Sequence, residues 1–149
     1  MKDCFDISFI IPKEIHSDNF EEVLTCLGIS KGECILRDFP KNKAHVDYYS
    51  FDDNDYIEIS ISISNLYFHK ETFNSELYLI SKFINQCVKI YNKITYALCS
   101  YELNGYLLGG ITKMQEFEDP VFLCQFPIVY SFYPKKDVIV NLNAQEIFI

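Results

Sequence analysis

Positive charge is scarce in this sequence. Lys and Arg number 13 against 21 Asp and Glu, a formal net charge of −8. A protein that grips a nucleic acid backbone needs cations to displace condensed counterions, so nucleic acid is not an expected partner. Long apolar runs are lacking too. None approaches the roughly 18 residues of a membrane helix, which excludes a helical span. The start, Met1-Lys2-Asp3-Cys4-Phe5-Asp6, has neither the basic region nor the apolar segment of a secretory signal. The expected location is therefore the cytoplasm. C-x-x-C, H-x-x-x-H and H-x-H are all absent, which removes the usual signatures of zinc and thioredoxin-like sites. Gly105, Gly109 and Gly110 form neither G-x-x-x-x-G-K-[ST] nor G-x-G-x-x-G, so no phosphate loop is present. Asp52-Asp53-Asn54-Asp55 begins like a calcium loop but lacks the Gly and Glu that such a loop needs further on, and it reads as a solvated turn. No metal and no cofactor is expected.

What is present is enough for a sizeable core in a single domain spanning 1–149: 49% of residues are hydrophobic and 16% aromatic, with 11 Tyr, 13 Phe and no Trp. Six cysteines are spread through the chain, several inside apolar patterns. Without a route to an oxidising compartment they read as buried free thiols. The clearest structural signal is Tyr56-Ile57-Glu58-Ile59-Ser60-Ile61-Ser62-Ile63-Ser64. Isoleucine at every second position specifies a strand with one oily and one polar face. It also sets the register, because a slip of one residue would expose all four isoleucines. The polar face of this strand is expected to look outward.

The other elements follow in order. Phe5, Ile7, Phe9 and Ile11 alternate in a first strand stopped by Pro12. Asp18 and Glu21 resemble a capping box for a helix whose stripe is Phe20, Val23, Leu24 and Leu27, with Gly28 past its end. Cys34-Ile35-Leu36 centres a short strand. Val46 and Tyr48 lie in another, joined to the Ile-rich strand through 52–55 as a hairpin. Asn65 is a candidate bulge. Residues 75–92 form the strongest helix, capped by Asn74 or Ser75, with Phe73 and Tyr78 placed for a hydrophobic staple. Residues 94–103 read as a strand, with a continuing helix as the alternative. Asn104-Gly105 signals a turn and 111–119 an exposed loop. Residues 121–133 read as extended and apolar, with Pro127 suggesting an edge or a bulge, 138–140 read as a last strand, and 144–149 is apolar enough to dock. Short connections favour antiparallel pairing. The predicted fold is α+β, a mostly antiparallel sheet with two helices packed on one face.

Charge is unevenly placed. Residues 1–60 carry 13 acids against 6 bases, and the rest carry 8 against 7. Tyrosines are numerous enough that they cannot all point inward, and a rigid Tyr ring beside carboxylates makes a good protein-binding surface. The candidate partner-binding residues are Asp47, Tyr48, Tyr49, Asp52, Asp53, Asp55, Tyr56 and Glu58. Glu116, Glu118 and Asp119 give a second acidic loop. The lysines of the long helix, Lys82, Lys89 and Lys93, read as a solvated face.

In size, acidity and aromatic-rich strands the whole chain resembles the immunity proteins that bacteria make against secreted polymorphic toxins. The resemblance implies a non-enzyme that binds a cognate toxin domain, often a basic nuclease, and blocks its active site, acting as a monomer or homodimer. Two other readings stay open. One is a small-molecule-binding or enzymatic domain with a pocket between sheet and helices, where a Cys and one of His16, His45 and His69 could meet. The other is a homo-oligomer built through an edge strand around 121–133.

Overall fold

The computed structural model describes residues 3–13, 20–101, 110–133 and 135–141. Its centre is the first strand, β1 (Cys4–Pro12), which pairs antiparallel with both of its neighbours. Phe5, Ile7, Phe9 and Ile11 fill one face of β1, while Asp6, Ser8 and Ile10 are buried on the other. A strand sealed on both faces belongs in the middle of a sheet.

The remaining strands are β2 (Gly32–Ile35), β3 (Lys43–Ser50), β4 (Tyr56–Ser64), β5 (Tyr96–Tyr101), β6 (Ile128–Ser131) and β7 (Asp137–Val140). They form one seven-stranded sheet in the order β2-β3-β4-β1-β5-β6-β7, and every pairing is antiparallel. The isoleucines of β4 settle the register as their alternation predicts: Ile57, Ile59, Ile61 and Ile63 sit opposite Ile11, Phe9, Ile7 and Phe5 on one buried face. Burying each such side chain is worth about 1.5–3 kcal/mol, so a slipped register would forfeit several times that.

The two long helices, α1 (Phe20–Leu27) and α2 (Phe73–Ile90), cover that same face. Val23, Leu24 and Leu27 of α1 and Ile80, Phe83, Ile84 and Cys87 of α2 complete the core. Gly28 ends α1 with φ +72°, and the N–H groups of Gly28 and Ile29 donate to the carbonyls of Thr25 and Leu24. That pair of bonds is the Schellman closure, which favours glycine at this position. The α1 capping box at Asp18, the turn at Asn104-Gly105, His16 and the segment 144–149 lie outside the described residues.

The structure departs from the sequence reading at several places. The long helix begins at Phe73, fed directly by a 3₁₀ turn at Lys70–Thr72, so neither Asn74 nor Ser75 caps it. The staple is absent as well. Tyr78 is 66% exposed, whereas Phe73 meets Phe68 at 5.5 Å between ring centroids. Asn65 forms no bulge. It ends β4 in the left-handed region, φ +58°, a conformation Asn tolerates better than most residues.

The largest departure is at 111–126. Instead of an exposed loop and an extended edge, this stretch holds a 3₁₀ turn at Met114–Glu118 and a short helix, α3 (Pro120–Leu123). Asp119 caps α3 by accepting the Val121 N–H at 2.9 Å, and Pro120 takes the first helical position, where its missing N–H costs nothing. Phe117, Phe122 and Phe126 pack with Ile10, Tyr56, Tyr96, Leu98 and Val129 into a second core on the sheet's other face. Consequently that face is not simply outward-looking. The former edge candidate becomes β6, an interior strand between β5 and β7 with Pro127 just before it, where a missing donor is harmless.

Candidate partner-binding surface

The β3–β4 hairpin carries all eight predicted site residues, and its ladder decides which way each points. Tyr48 lies opposite Ile59, so it shares the helix-covered face. Asp47 lies opposite Ser60 and Tyr49 opposite Glu58, so these share the other face. The eight residues therefore do not form one outward patch.

Tyr48 is used within the fold. Its ring stacks on Phe20 at 4.1 Å and 10°, with Lys31 Nζ 4.6 Å from the ring centroid on the same residue. The contact ties α1 to β3. Asp55, Tyr56 and Glu58 are also committed to internal contacts. The Asp55 carboxylate accepts the Met114 N–H at 2.6 Å, and the Asp55 N–H donates to the Thr112 carbonyl at 2.8 Å. Tyr56 is 4% exposed, donates its hydroxyl to the Ile111 carbonyl at 3.0 Å and meets Phe117 edge-on at 5.0 Å. Its phenol is pushed up to about 12, chiefly by burial and further by Glu58, Glu116 and Asp55. Together these two residues moor the 111–118 segment to the hairpin. Glu58 is 7% exposed, and its Oε2 accepts the Ser8 hydroxyl at 2.7 Å. Burial pushes its carboxyl up, Ser8 opposes the shift, and nearby Asp6 adds to it.

Four residues remain at the surface. Asp52 and Asp53 are exposed in the hairpin turn, which the Asn54 N–H closes on the Phe51 carbonyl at 3.0 Å. Asp47 is half-buried. Its Oδ1 accepts the Tyr48 N–H at 2.8 Å and lies 4.0 Å from Lys31 Nζ. Tyr49 is 41% exposed. Burial raises its phenol, and the Asp47, Glu58 and Asp6 carboxylates raise it further, so negative charge converges on this ring.

Sequence reasoning missed Phe51. It is 59% exposed, and its ring lies parallel to that of Tyr49, at 5° and 6.3 Å between centroids. The signal was present, since Asp47, Tyr49 and Phe51 keep a period of two. The surface is thus smaller than expected and more aromatic: Tyr49 and Phe51, with Asp47, Asp52 and Asp53 beside them in the chain.

The second acidic loop is also largely structural. Glu116 accepts the N–H groups of Thr112 and Lys113, each at 2.9 Å, which holds its carboxyl below the ordinary range. The cysteines are all free, but only Cys87 and Cys99 are buried, while Cys26 and Cys124 are exposed. Burial pushes the Cys87 thiol up to about 12, so it is held as a neutral thiol. His45 is exposed, and His69 donates its backbone N–H to Glu76, 3.1 Å from each carboxylate oxygen. Among the described residues no group of three or more His, Cys, Asp or Glu side chains is placed to hold a metal ion. A groove of about 350 Å³ runs along the outer face of α2, between Tyr78, Ser81, Lys82, Asn85, Gln86 and Lys89. No described helix is long and apolar enough to cross a membrane.

What the fold defines is an antiparallel α+β sheet protein with its two long helices on one face and an aromatic second core, built with the short α3, on the other. No protein-family model, no curated protein and no solved structure matches the chain.

Proposed function

We propose that this protein is a non-enzymatic binding module of the immunity type, which engages a basic toxin domain in the bacterial cytoplasm and occludes it. The observation that carries the reading is the pair of exposed, parallel rings at Tyr49 and Phe51, with Asp47, Asp52 and Asp53 beside them in the chain. Aromatic residues supply contact area at low entropic cost, and carboxylates steer a cationic partner towards them. The acid excess of residues 1–60 and the resemblance in size and composition support the same reading.

The test is direct. The neighbouring reading frames are searched for a secreted protein with a basic C-terminal domain; that domain is expressed in inactive form, and its affinity for the native chain and for the Asp52→Asn/Asp53→Asn double variant is measured by calorimetry at low and physiological salt. The double variant is expected to bind roughly three- to tenfold more weakly at low salt, with a flatter salt dependence. Unchanged affinity and an unchanged salt slope would remove this surface from the interface.

A further inference from the structure

The pair Tyr49 and Phe51 has a chemistry more specific than general stickiness. Two large rings stand exposed at the end of β3, although the fold buries most of its other aromatic side chains in two cores. Leaving such a ring in water forgoes about 1.5–3 kcal/mol of burial, so the exposure of two in parallel is not what stability alone would select. The rings lie parallel, 6.3 Å apart, and both are exposed, and a π face attracts cations. Carboxylates lie on either side in the chain, at Asp47 and at Asp52 and Asp53.

The same chain shows how it pairs a ring with a cation. On the neighbouring residue Tyr48, Lys31 Nζ lies 4.6 Å from the ring centroid and 4.0 Å from an Asp47 oxygen, so ring and carboxylate hold one cation between them. Among the described residues no cation is placed in this way over Tyr49 or Phe51. Lys13 is close by, but its ammonium donates to the backbone carbonyl of Phe51.

We propose that the exposed Tyr49–Phe51 pair is a seat for an arginine side chain from a protein partner, the guanidinium plane stacking on an aromatic ring while the carboxylates nearby in the chain balance its charge. Arginine fits better than lysine. Its guanidinium is planar, weakly hydrated and able to stack, and its donor fork matches a carboxylate in two bonds. A lysine ammonium is a compact, strongly hydrated point charge that can sit over a ring, as Lys31 does over Tyr48, but cannot stack in plane or fork to a carboxylate. This inference rests on the reading of the hairpin as a partner-binding surface, and it adds which side chain that surface selects.

The experiment uses the full-length chain, labelled with ¹³C at its aromatic positions, titrated with oligoarginine and oligolysine peptides of equal length. Ring resonances of Tyr49 and Phe51 are expected to shift with the arginine peptide, which should bind roughly two- to fivefold more tightly than the lysine peptide, the worth of an exposed cation–π contact. Phe51→Leu keeps the apolar area and removes the ring, so it should abolish the arginine preference by weakening the arginine peptide more than the lysine peptide. Asp52→Asn/Asp53→Asn should weaken both peptides. Equal binding of both peptides at the hairpin would overturn the arginine seat and leave the acidic surface standing. Shifts confined to other parts of the molecule, or none with either peptide, would overturn both.

Discussion

Glu58 shows how a residue chosen for its charge can be occupied inside the fold. On a strand where every second residue is isoleucine, a carboxylate on the opposite face is expected to meet water. Here β1 flanks β4 and the second core covers one end of that face, so Glu58 is buried against the Ser8 hydroxyl. Its folded pKa is raised, mainly by burial. An acid shifted in that direction is relatively more protonated in the folded chain. Its contribution to stability is therefore fully present below the unfolded value and is lost as pH rises through the folded one. Glu58→Gln keeps the shape and removes the titration. Urea unfolding at a series of pH values should show the variant gaining on the native chain as pH rises through that window, and a gap that stays constant with pH would contradict the assignment. Ser8→Ala removes the donor that steadies the charged form. It is expected to cost about 1–3 kcal/mol at neutral pH, and less in acid.

At the scale of elements, the strands were legible and the turns feeding the helices were not. Alternation in β1 and β4 states which side chains share a face, and nothing elsewhere in the chain competes with it. The start of α2 is different. Asn74 and Ser75 are the residue types that cap helices, but the first turn takes its partner from within: Glu76 accepts the His69 N–H and the Thr72 hydroxyl. A carboxylate one turn inside a helix serves the free N–H groups and the positive end of the dipole together. Glu76→Ala should therefore cost about 1 kcal/mol, read as a lowered urea midpoint with an unchanged slope, whereas Asn74→Ala should change almost nothing. The segment 111–126 was misread for another reason. Asp119-Pro120 is a valid helix start, yet α3 is too short to show a period, and its conformation depends on Phe117, Phe122 and Phe126 reaching a sheet face that the sequence cannot display. Phe117 is fully buried against Tyr56, Tyr96 and Phe122. Phe117→Ala should cost about 3–5 kcal/mol and loosen amide protection in 111–126 before it loosens α2.

Across the whole molecule, one charge imbalance governs two observables with opposite signs. The candidate surface was legible as a region, because acids and tyrosines gather around 47–58. Its membership was not, because a strand sends neighbours to opposite faces and because turns spend their carboxylates on backbone N–H groups. Thus Tyr48 faces the helices, Asp55 holds Met114, and Phe51 takes a place that composition alone did not assign. What remains is an acidic chain with few internal cations to offset it. Among the described residues, Lys31 lies 4.0 Å from Asp47. An exposed pair of this kind contributes at most about 1 kcal/mol, and a net charge of −8 favours self-repulsion. Added salt screens that repulsion within a Debye length of roughly 8–10 Å at physiological strength, and the folded chain, where like charges are closest, gains most. The urea midpoint should therefore rise as salt increases from low to physiological levels. The same screening acts on attraction between an acidic hairpin and a cationic peptide, so affinity for the arginine peptide should fall over the same range. Measured on one sample with sodium chloride, the two trends should cross, and a urea midpoint that falls with salt would mean that attractive pairs, not like-charge repulsion, dominate this surface.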